Sequence, residues 1–113
     1  ETLAAGAARE TIEEARARVD VGELYTVISL PQISQVYVMF RSRLLDLDFG
    51  PGPESLEVRL FHEDEIPWDR IAFRTIARTL RTFFLDRRDG AFPLHVSALE
   101  RRARLEPDLS GAA

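Results

Sequence analysis

Thirteen consecutive residues near the middle of the chain, Ile33 to Leu45 (ISQVYVMFRSRLL), read as one extended strand. Ile33, Gln35, Tyr37, Met39, Arg41 and Arg43 share one face of an extended strand; Ser34, Val36, Val38, Phe40, Ser42 and Leu44 share the other. The segment is rich in β-branched and aromatic residues, and so is Glu23–Leu30 (ELYTVISL) just before it. Only Pro31 and Gln32 separate the two, which suits a hairpin. Asp46–Pro53 (DLDFGPGP) reads as a loop from its Gly and Pro content. Beyond it, Leu56, Val58 and Leu60 alternate with Glu57, Arg59 and Phe61, and a third strand is expected over 56–62. Two helices frame these strands. Residues 2–18 are good helix formers with one weak link at Gly6, and Leu3, Ala7, Ala8, Ile12, Ala15 and Val19 make an expected buried stripe. Residues 68–87, opened by Pro67 and closed by Asp89-Gly90, carry Ile71, Phe73, Ile76, Leu80, Phe83 and Phe84 on one face. The order is helix, three mainly antiparallel strands, helix: an α/β class with a small sheet covered by helices. Residues 1–113 make one domain, with a frayed tail from about residue 100.

Composition narrows the function. A chain of 113 residues with 45% hydrophobic and 30% charged residues is an ordinary globular sequence. No apolar run approaches the ~20 residues that span a bilayer, and no secretory signal opens the chain. Without Cys there is no disulfide, thiolate zinc site or cysteine nucleophile. A net charge of −4 argues against nucleic acid as a partner. The cytoplasm is the expected compartment by elimination.

The chemistry concentrates in Arg9-Glu10-Thr11-Ile12-Glu13-Glu14. On a helix, Glu10, Glu13 and Glu14 fall on one face. Like charges at that spacing repel, and a hard divalent cation with oxygen ligands would relieve the repulsion. The same spacing also occurs on solvated helix faces that pair Glu with Arg. His62 and His95 have no acid–nucleophile pattern around them and read as polar surface residues. Asp46-x-Asp48 reads as a turn rather than a calcium loop. Tyr25, Tyr37, Phe40 and Trp68 read as core or interface rings that could otherwise stack on a base.

The wider spacing decides between these readings of the acids. Glu1, seven residues, Arg9-Glu10, then Glu13-Glu14 resembles the later part of the Nudix box, G-x5-E-x7-R-E-U-x-E-E-x-G-U, where U is bulky and apolar. Three positions depart from it: Thr11 is polar, Arg16 replaces the second glycine, and Ala17 is small. The opening glycine and its spacers would precede residue 1. Further along, residues 34–41 (SQVYVMFR), 51–61 (PGPESLEVRLF) and 64–68 (DEIPW) resemble the Nudix branch that often carries a zinc ribbon, so the resemblance covers about residues 1–95.

That resemblance implies an α/β/α sandwich and hydrolysis of a nucleoside diphosphate linked to another moiety, of the ADP-ribose, NADH or FAD class, with Mg²⁺ or Mn²⁺. It implies Glu10, Glu13 and Glu14 as metal ligands and catalytic groups, Arg9 as their brace, and Glu1 as a supporting acid. Glu54, after the Gly/Pro loop, is the expected further base, ahead of Glu57. The chain opens at Glu1, so it is expected to be the C-terminal portion of such a domain without its earlier strands, and a homodimer through the exposed sheet edge is expected. The rival is a non-catalytic binding or oligomerisation module derived from the same fold.

Overall fold

The computed structural model describes residues 1–100. Their elements are α1 (Leu3–Ala15), β1 (Val19–Leu30), β2 (Gln35–Leu44), α2 (Arg74–Asp89) and β3 (His95–Ala98), with short 3₁₀ turns at Pro31–Ile33, Glu63–Glu65 and Trp68–Arg70. The strands form one sheet in the order β2-β1-β3. β1 and β2 are joined by a turn too short for a crossover and run antiparallel. β3 lies parallel to β1, pairing Thr26 with His95 and Ile28 with Ser97. The α/β class, two helices and three strands agree with the sequence. The expected tail beyond residue 100 lies outside the described residues.

Several expectations are corrected. The third strand is not 56–62. That segment is irregular, with Leu56 fully exposed and Leu60 and Phe61 open to solvent; its alternation finds no neighbouring strand among the described residues. The sheet takes four residues after α2 instead, so one of its two pairings is parallel. β1 begins at Val19 rather than 23, because Asp20-Val21-Gly22 continue the strand rather than form a break. α2 starts six residues later than expected. Ile71 and Phe73 are extended (ψ 112° and 123°), and Pro67 precedes the Trp68–Arg70 turn instead of opening the helix.

The chain divides into two compact units: 1–24 with 39–62, and 25–38 with residue 63 onward. In the first, Thr2 caps α1, its Oγ1 accepting from the Ala5 N–H at 3.0 Å. The expected apolar stripe of α1 is not buried there: Leu3 and Ile12 are exposed. In the second unit the core gathers around β1, where Tyr25, Thr26 and Ile28 are each at most 3% exposed. Tyr25 meets the rings of Phe83 and Phe92 edge-on, and Trp68 meets Phe84. Thr26 and Thr79 share a hydroxyl–hydroxyl bond of 3.0 Å. Of the expected α2 face, Ile76, Leu80, Phe83 and Phe84 are half-buried, while Phe73 is exposed and Thr75 is the fully buried residue. Gly90, at φ 78°, ends the helix as its sequence position suggests.

Candidate active site

In the first unit Glu10, Glu13 and Glu14 lie on α1, Glu1 lies just before it, and the loop that carries Glu54 meets its C-terminal end. Arg9 is the organising group. Its Nη2 donates to Glu1 Oε1 at 2.7 Å and its Nε to both Glu1 oxygens at 3.1–3.2 Å. On the other side, Nη1 donates to both oxygens of Glu13 at 3.1 Å. Glu10 stands 4.0 Å from the same guanidinium. Only arginine has a planar fork able to hold two carboxylates this way. The two pairs hold Arg9 protonated more firmly than usual, the Glu1 hydrogen bond foremost. The Arg9 hydrogen bond in turn pulls Glu1 below the ordinary carboxylate range.

Gly6, the weak link of the helix, has a local reason. A β-carbon there would lie 3.3 Å from Glu1 Oε1, tighter than most such contacts. Glycine costs about 1 kcal/mol relative to alanine inside a helix, and here it leaves room for the Glu1 carboxylate to fold back toward Arg9.

The loop after β2 closes the C-terminal end of α1. The Gly52 N–H donates to the Glu14 carbonyl at 3.0 Å, Ser55 Oγ to the same carbonyl at 2.7 Å, and the Gly50 N–H to the Ala15 carbonyl at 2.9 Å. These bonds satisfy carbonyls that a helix end leaves open. A β-carbon on Gly52 would come within 1.9 Å of the Glu13 carbonyl oxygen, so only glycine fits. Glu54 lies between Gly52 and Ser55 and is thereby carried to the end of the acidic helix. Glu57 points to a different role, ion-paired with Arg59 at 3.5 Å. Asp46 accepts the Asp48 N–H at 3.0 Å, the turn geometry expected of Asp46-x-Asp48, and pairs with Arg18. The Asp48 bond first and the Arg18 bond second pull Asp46 below the ordinary carboxylate range.

Each departure from the motif has a structural account. Thr11 turns its hydroxyl back to the Ala7 carbonyl at 2.7 Å, which satisfies a polar group on a half-buried position. Arg16 sits at φ 49°, the left-handed conformation for which glycine is suited. Ala17 is buried, 6% exposed, where a larger side chain would otherwise stand.

Four carboxylates and one guanidinium form a solvent-facing acidic patch of oxygen donors, the donor chemistry of a hard divalent cation. As oriented, Glu13 faces Arg9, and among the described residues no three His, Cys, Asp or Glu side chains converge on one point. Donor type and placement on one helix face fit such an ion; Glu13 is the side chain whose orientation belongs to Arg9.

A solved structure of a Nudix hydrolase from Nitrosomonas europaea superposes on this chain with a TM-score of 0.87 and 58% identity, over 89% of the chain. This chain belongs to the Nudix family. It spans 57% of the length of the Nitrosomonas chain. No protein-family model matches it, and no curated protein does.

The sequence reading missed one further cluster. In the second unit, Asp86 Oδ2 accepts from the Tyr25 hydroxyl at 2.5 Å and lies 2.7 Å from His95 Nε2. His95 is thus a partnered, half-buried residue rather than a surface one. Its acid lies nine residues earlier on another element, and no local spacing marks the pair. Tyr25 is a core residue, and Trp68 lies beneath the Arg81 guanidinium, 4.7 Å from its ring centre. Among the described residues no helix is long and apolar enough to cross a membrane.

Proposed function

We propose that the chain carries the catalytic helix of a hydrolase that cleaves the pyrophosphate of a nucleoside diphosphate linked to another moiety, of the ADP-ribose, NADH or FAD class. The observation that carries this reading is the Arg9 clamp joining Glu1 to Glu13, on a chain 58% identical to a Nudix hydrolase. Glu10, Glu13 and Glu14 would hold Mg²⁺ or Mn²⁺. Such an ion neutralises pyrophosphate charge and lowers the pKa of bound water.

The protein's own groups do the rest. Arg9 fixes Glu13 and offsets the repulsion among the helix acids. Glu1 anchors Arg9 from the other side, so the brace keeps its place when Glu13 turns toward a ligand. Glu54, held by the Gly52 and Ser55 bonds, takes a proton from the attacking water at the end of the helix. The substrate class rests on the resemblance of residues 34–68, and the reading includes a cytoplasmic homodimer.

The test is turnover of ADP-ribose, NADH and FAD with Mg²⁺ or Mn²⁺, in the parent protein and in Glu13→Gln. The variant is expected to lose about 100-fold or more of kcat. Near-parental turnover in Glu13→Gln would overturn the assignment.

A further inference from the structure

The second unit contains a cavity of about 520 Å³, walled by β1, α2 and the segment through β3. Its polar lining is Arg78, His95, Thr26, Thr82 and Ser97, and the exposed Leu94 and Val96 supply an apolar wall.

Arg78 is the unusual member. Arginine keeps its charge at any ordinary pH. Arg9, Arg18, Arg43 and Arg88 each face a carboxylate. Arg78 has none among the described residues: its Nη1 donates to Ser97 Oγ at 3.2 Å and to the Ala98 carbonyl at 3.1 Å. Its Nε is buried and makes no hydrogen bond. A half-buried cation paired only with neutral groups favours an anion beside it. His95 is well placed to help. Asp86 holds its Nε2, and Tyr25 holds Asp86, so the imidazole is fixed in the cavity wall.

We propose that this cavity binds a small organic anion. Its oxyanion head, phosphate or carboxylate, is held by Arg78 and Ser97 beside the fixed His95 ring, and an apolar body lies against Leu94 and Val96. The volume is far more than a bare phosphate fills, which is why a body is part of the ligand. The site stands independently of the acidic helix and needs no divalent ion.

The experiment is an NMR titration of the full chain in EDTA, which removes metal-dependent binding at the acidic patch. Phenyl phosphate, benzoate, inorganic phosphate and neutral phenol are the probes. Phenyl phosphate or benzoate is expected to move the His95 ring and Ser97 amide signals saturably, and whichever binds tighter identifies the head group. Inorganic phosphate is expected to bind more weakly, and phenol not at all. Arg78→Gln is expected to weaken binding at least tenfold, while Glu13→Gln leaves it unchanged. No shift at His95 with either anion at millimolar concentration, an equal response to phenol, or parental affinity in Arg78→Gln would overturn the proposal. Should Arg78→Gln fail to fold, the His95 response of the parent protein and the affinity of Ser97→Ala, expected to fall several-fold, decide it.

Discussion

Arg16 and Gly52 stand at opposite sides of one joint and show how backbone geometry governs single substitutions. Arg16 holds φ 49° at the end of α1, a conformation that disfavours side chains with a β-carbon. Arg16→Gly is therefore expected to raise stability by about 1 kcal/mol in urea unfolding; an unchanged or lower midpoint would contradict this. Gly52 is the reverse case. Any side chain there meets the Glu13 carbonyl oxygen. Gly52→Ala should cost about 3 kcal/mol, and because the same contact carries Glu54, it should also lower turnover beyond what the lost stability explains. Charge obeys the same local logic. Glu1 has its pKa lowered by Arg9, so its contribution to stability is complete above its unfolded-state value and is lost only as pH falls through the lower folded value. Titration of the Glu1 carboxyl by ¹³C NMR should give a midpoint below that of a free glutamate, and Arg9→Gln should return it toward the ordinary value.

At the level of elements, the sequence carried the hairpin and the acidic helix well and the third strand poorly. β-Branched and aromatic residues in 33–45 marked β2, because such side chains fit a pleated, half-buried surface. Leu56, Val58 and Leu60 alternate with Glu57, Arg59 and Phe61, yet among the described residues no strand pairs with them. Alternation reports a possible strand; a partner makes it one. β3 is only four residues and its pairing is parallel, so neither length nor a neighbouring hairpin turn announced it. The start of α2 failed for a related reason: Pro67 and Trp68 look like a first turn, but Ile71 to Phe73 remain extended. In the site, the spacing of Glu1, Arg9, Glu10, Glu13 and Glu14 was readable because one helix holds them all. The Asp86–His95 pair was not, because it joins two elements with no fixed spacing.

At the scale of the whole molecule, Asp86 ties three elements of the second unit together: Tyr25 on β1, its own helix α2, and His95 on β3. Removing it takes one hydrogen bond from the buried Tyr25 hydroxyl and one from the half-buried His95 ring, at about 1–3 kcal/mol each. Asp86→Ala is expected to destabilise that unit by about 3 kcal/mol and to release the β3 amides in hydrogen exchange. Retained protection of residues 95–99 would show that the strand is held without it.

The joint at the end of α1 has a practical meaning for anyone redesigning the catalytic chemistry. Gly52 and Ser55 grip the main chain of Glu14, not its carboxylate. The scaffold therefore cannot tell which side chain residue 14 bears. Glutamine, aspartate or lysine at that position should leave the Gly52 amide resonance where it is. The carboxylates on the helix and the placement of Glu54 can thus be edited one at a time, like a tool head exchanged on an unmoved mount.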